Sequence, residues 1–260
     1  MQWSVNAGVL RGMRTSNPAL SEKAFRNLAS TTSERMTVDG TVNKSFLLIA
    51  LVFAGAFYSW QSAYPQGWTS GMDPQIPVWY FPAIIGAFII AMVVIFKKTT
   101  APYLAPVYAI LEGLALGAIS ALFEYRYPGI VLQAIFCTIG VFGALLLAYR
   151  SGLIKATENF KLGVVAATGG IAIVYLIDLG LRFFGTNVPF LHENGFMGIG
   201  ISLFIVVVAA LNLVLDFDFI EKGAEQGAPK YMEWYAAFGL LVTLVWLYLE
   251  ILRLLSKSKK

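Results

Sequence analysis

The sequence predicts an all-α integral membrane protein, a bundle of about seven transmembrane helices. Three observations predict it. Hydrophobic residues make up 58% of the 260 and charged residues 13%, against roughly a half and a quarter in soluble domains. Apolar runs long enough to cross a bilayer, roughly 20 residues each, recur along the chain. Several connections between them are very short, as at 97–101 and 124–127, which makes neighbouring helices antiparallel. Backbone groups in lipid must be bonded within their own segment, so each run is read as a helix.

Residues 1–43 carry Ser, Thr, Asn and charges of both signs and read as a largely flexible cytoplasmic tail. Residues 21–28 form a candidate short helix, and Asp39-Gly40 is a turn signal before the membrane. The tail has no early apolar core or cleavage site, so the first spanning helix is expected to serve as the targeting signal. The transmembrane domain covers 44–256, with helices expected at 45–62, 77–96, 102–123, 128–149, 162–181, 196–217 and 235–255. The single cysteine, Cys137, lies inside an apolar run and offers no disulfide pair. The single histidine, His192, lies in a connection and gives no basis for a histidine metal site. No cofactor is expected.

The net charge of +4 reads as membrane orientation rather than affinity for nucleic acid. With the N-terminus inside, the inner segments hold 13 Lys and Arg and the outer ones 6, four of which lie in the last tail. This bias predicts a cytoplasmic N-terminus. The basic C-terminal tail fits either a seventh full crossing or a re-entrant last helix. Trp60, Trp68, Tyr80, Tyr103, Tyr127, Trp234 and Tyr235 fall at segment ends, where an aromatic belt lies. Gly113 and Gly117 form a close-approach motif, and Gly140, Gly143, Gly169, Gly170, Gly195, Gly198 and Gly200 add small residues.

An ionisable group in a spanning helix costs roughly 2.5–3.5 kcal/mol at the centre, and it is a functional candidate by default. Glu112 lies midway along the third segment. Asp178 and Arg182 are four apart and read as an intrahelical pair. Asn212 and Asp216 share a face near the end of the sixth segment, with Asp218 nearer the water. Glu250 lies among apolar residues of the seventh, three before Arg253. Two carboxyls in one low-dielectric site titrate jointly, and when ionised their oxygens suit Ca²⁺. The candidate ion- and pH-sensing residues are therefore Asp216, Glu250, Glu112, Asp218 and Asn212, with no metal site beyond a transient Ca²⁺ at Asp216.

The stretch Arg14-Thr-Ser-Asn-Pro-Ala-Leu-Ser-Glu-Lys-Ala-Phe25, then Met36-Thr-Val-Asp-Gly-Thr-Val-Asn-Lys44, Glu112-Gly-Leu-Ala-Leu-Gly117, Leu215-Asp-Phe-Asp-Phe-Ile220 and Leu247-Tyr-Leu-Glu-Ile-Leu-Arg253 together resemble the Bax inhibitor-1/YccA family. The chain more closely resembles its bacterial branch with a longer polar N-terminal tail, and the resemblance covers nearly the whole chain. The resemblance implies a seven-helix bundle with the last helix near the centre, in a bacterial inner (plasma) membrane. It also implies a pH-sensitive Ca²⁺ leak gated by an acidic pair from the last two helices. The sixth-helix acid maps onto Asp216. The seventh maps onto Glu250 if Tyr248-Leu-Glu250 matches the family's Tyr-Leu-Asp. An alignment anchored on Ile251-Leu-Arg253 puts Thr243 there instead, which leaves no pair or one rebuilt with Glu112.

Two classes of function follow. The first is a cation leak, with Ca²⁺ or H⁺ as its partner and Asp216 with Glu250 or Glu112 as its gate. The alternative is an interaction protein that modulates a membrane-anchored ATP-dependent protease through residues 1–43. An enzyme ranks third, since the sequence holds no phosphate loop, metal cluster or nucleophile–base signature.

Overall fold

The computed structural model describes residues 35–69, 72–193 and 195–259. The candidate helix at 21–28 and the family-like stretch at 14–25 lie outside the described residues. Seven apolar helices follow one another: α1 (Val38–Ala63), α2 (Tyr80–Phe96), α3 (Ala101–Arg126), α4 (Ile130–Arg150), α5 (Glu158–Phe183), α6 (Phe196–Glu225) and α7 (Tyr231–Ser258). All but α2 are long and apolar enough to cross a membrane. Helix α2 has 17 residues, about 25 Å at 1.5 Å per residue, slightly under the ~30 Å hydrocarbon core. This is the all-α membrane bundle that hydropathy predicts.

Local chemistry sets the ends. Thr37 caps α1 by accepting from the Gly40 amide, and Asp39 sits in its first turn, where the helix dipole favours an acid. Asp39-Gly40 is therefore helical and not the turn expected from composition. A second cap, Thr157, accepts from the Phe160 amide at the start of α5. Between α3 and α4, Gly129 takes φ +82°, which side-chain-bearing residues rarely adopt. Buried Glu124 accepts there from the amides of Gly129 (2.5 Å) and Val131 (3.1 Å), satisfying otherwise orphaned donors of α4.

Contacts fix the sides. Met36 donates its amide to the Ala228 carbonyl at 2.7 Å. Lys44 and Lys98 stack over Trp234 and Tyr235, and Lys161 reaches Asp218 at 2.8 Å. The start of α1, the α2–α3 and α4–α5 connections and the α6–α7 turn thus share one face, called here the amino-terminal face. Buried Lys257, near the end of α7, donates to the carbonyls of Leu191 (2.8 Å) and Gly198 (3.1 Å) on the far face. Helix α7 is continuous over 28 residues and runs from the amino-terminal face to the far face, long and apolar enough for a full crossing.

The core lies around α7, which packs against α1, α3, α4 and α6. One apolar cluster joins α4, α6 and α7 through Ile130, Leu213, Phe217 and Leu247. A second joins α1, α2, α3 and α7 through Leu48, Val94, Tyr108 and Phe238. Gly113 and Gly117 lie against the backbone of α1: a Cβ at either would stand 2.3 Å from the carbonyl oxygen of Val52 or Ala56. Gly198 is similarly tight against Glu193. The remaining small residues correct the expectation. A Cβ at Gly140, Gly143, Gly169, Gly170, Gly195 or Gly200 meets nothing within 4 Å, so none of these glycines marks a close approach between helices.

Candidate functional site

The predicted residues separate into distinct environments. Asp216 lies on α6 nine residues before the helix end at Glu225, about 13 Å in along the axis. Its carboxyl meets the hydroxyl of Thr243 on α7. The residue keeps a little exposed surface, yet Oδ2 is shut off from water with no hydrogen-bond partner. Thr243 also donates to the Gly239 carbonyl at 3.2 Å. A hydroxyl has one hydrogen, so Thr243 cannot serve both acceptors at once. Only two other buried side-chain atoms among the described residues lack a partner, Ser59 Oγ and Trp79 Nε1. Of the three, Asp216 alone can carry a charge at ordinary pH.

One turn towards the far face, Asn212 donates to Thr168 Oγ1 of α5 and to the Val208 carbonyl, both at 2.8 Å. Asn212 and Asp216 share a face, as their spacing predicts. They extend a polar seam from Thr243 to α5.

Glu250 does not join this seam. It lies seven residues beyond Thr243 on α7, about 10 Å further along the axis. Its side chain is buried and accepts from Tyr175 at 2.8 Å and from Arg253 at 3.2 Å. Arg253 also bonds the Tyr175 hydroxyl and stacks on its ring, 5.2 Å from the centroid. Glu112 is half-buried on α3 and bonds Tyr108, one turn earlier. Asp218 is held by Lys161 and Lys222 at 2.8 and 2.9 Å, a compensated charge at the amino-terminal face. Asp178 and Arg182 form the i,i+4 pair at 3.0 Å, with Asp178 also accepting from the Val188 amide.

One acid escaped the sequence reading. Glu233, in the first turn of α7, is fully buried. Its Oε1 accepts from the Thr37 amide (2.9 Å) and hydroxyl (3.0 Å), its Oε2 binds Lys44, and Lys230 lies 3.4 Å away. A Cβ at Gly40 would stand 2.2 Å from Glu233 Oε1, so a larger residue there would displace the carboxylate from this position. An acid in a first helical turn carries no sequence mark of burial. Its partners Thr37 and Lys44 are 196 and 189 residues away.

The sequence profile of the Bax inhibitor 1 like family matches residues 17–260. The chain belongs to that family. No curated protein matches it closely enough to count as a relative. The family places the chain among multi-pass membrane proteins and agrees with the bundle around α7. In this Bax inhibitor 1 like chain, Thr243 of α7 stands opposite Asp216 of α6. Among the described residues no three His, Cys, Asp or Glu side chains gather as metal ligands.

Proposed function

We propose that the protein is a pH-sensitive cation leak of the Bax inhibitor-1 type, passing Ca²⁺ at Asp216, in a bacterial inner membrane with its N-terminus cytoplasmic. The observation that carries this reading is the unpartnered Oδ2 of Asp216, buried inside a spanning helix. A buried polar atom without a partner is costly, and such exceptions point to a functional role or an absent ion. Ionised, Asp216 offers a hard oxygen to a passing cation, with Thr243 Oγ1 and the Gly239 carbonyl beside it. Resident Ca²⁺ takes 6–8 oxygens. The few oxygens here suit brief passage rather than storage. Protonated, the carboxyl can donate to Thr243 while Thr243 donates to Gly239, which completes the hydrogen-bond chain and closes the site.

The test is Ca²⁺ flux into proteoliposomes, with the full chain and with residues 1–34 deleted. That deletion spares Thr37 and Lys44, which hold Glu233. The leak reading expects flux above empty vesicles, retained after deletion, and larger at pH 8 than at pH 6, because only the ionised carboxyl draws a cation. No flux from either protein at either pH overturns it. That outcome favours the other reading, a modulator of a membrane-anchored protease acting through its N-terminal segment.

A further inference from the structure

Helix α5 leans on α6 and is otherwise little covered. Between them, on the far-face half of the bundle, lies a groove of about 380 Å³ lined by Ala167, Gly170, Val174 and Tyr175 of α5 and by Ile201 and Ile205 of α6. Its lining is almost wholly apolar. Tyr175 lies eight residues after Ala167, about 12 Å along the helix, close to the ~15 Å depth of one leaflet's hydrocarbon.

The polar end of this groove is charged. Tyr175 carries Arg253 on its ring, and the Arg253 side chain is 39% exposed. Its bonds within the described chain all come from Nη1. Nη2 and Nε therefore remain for a planar oxyanion, the partner a guanidinium binds best. Among the described residues, Arg253 and buried Lys257 stand against Glu250 at this end, while Glu193, next to Gly198, is exposed. Nearby Asp178 and Arg182 neutralise each other. The result is an apolar slot one leaflet deep, with a surplus cation at headgroup level.

We infer that the α5–α6 groove binds one acyl chain of an anionic phospholipid from the far-face leaflet, with the phosphate on Arg253. The site is independent of the leak reading, since it uses neither Asp216 nor Thr243.

Native mass spectrometry of the full chain, released from bilayers of equal phosphatidylglycerol and phosphatidylcholine, tests it. Wild type retains phosphatidylglycerol in preference by roughly fivefold, the factor expected of one basic residue near an anionic surface. Gly170→Phe fills the slot, where a Cβ meets nothing within 4 Å, and loses the retained lipid while its melting temperature holds. Arg253→Gln loses the headgroup preference. Glu250→Gln enlarges the cationic surplus and strengthens the preference, a gain that damaged folding cannot mimic. Equal retention of the two lipids by wild type overturns the proposal. So does undiminished retention by Gly170→Phe, or a preference unmoved by both charge variants.

Discussion

At the scale of the residue, the structure ranks the buried acids by their partners. Glu233 is satisfied by a lysine, a hydroxyl and a backbone amide. Glu250 is held by Arg253 and Tyr175. Asp216 faces only a hydroxyl already engaged elsewhere. These differences predict different consequences of substitution. Glu233→Gln leaves Lys44 without its carboxylate at a largely buried site, so it is expected to destabilise by about 3 kcal/mol. Lys44→Met should cost a comparable amount. The double variant should cost less than the two added together, because they share one interaction. Thermal melting in detergent reads all three, and strict additivity would contradict a coupled pair. None of this was legible from residue order. A first-turn glutamate looks like ordinary dipole complementation, and its partners come from the other end of the chain.

At the scale of the element, hydropathy and short connections suffice for the helices, because lipid leaves the backbone no alternative. The contacts between helices are only partly legible. Gly113 and Gly117 do mark a close approach, but the glycines of α4 and α5, where an added Cβ meets nothing within 4 Å, show that small size alone does not identify one. The α6–α7 register, which sets Asp216 against Thr243 rather than Glu250, is fixed by the tight turn at 226–230 and by the cluster around Leu213, Phe217 and Leu247. Neither is a local sequence signal. Gly117→Leu is expected to force α1 and α3 apart and cost about 1–3 kcal/mol, whereas Gly143→Leu, with open space around it, should leave the melting temperature nearly unchanged. Equal effects of the two would refute the packing assigned to α1 and α3.

At the scale of the molecule, the start of α1 and the end of α7 lie on opposite faces of the bundle, the arrangement that seven crossings would give. The sequence left this open, since a basic C-terminal tail argues for one side and helix count for the other. The burial of Lys257 among far-face carbonyls shows how one such charge is accommodated. Cysteine labelling checks it. In a Cys137→Ser background, an impermeant maleimide should reach only one of Arg35→Cys and Lys259→Cys from a given side of sealed vesicles. Labelling of both from the same side would contradict the topology. The same arrangement makes α7 the axis on which the seam at Asp216 and Thr243 and the cluster at Glu250 and Arg253 are separately mounted. Ca²⁺ flux into proteoliposomes at pH 6 and pH 8, compared for wild type, Asp216→Asn, Glu250→Gln and Glu112→Gln, tests the central claim most directly. The account predicts that Asp216→Asn abolishes the pH response while Glu250→Gln and Glu112→Gln retain it. A pH-dependent flux that survives Asp216→Asn and disappears with Glu250→Gln would contradict it.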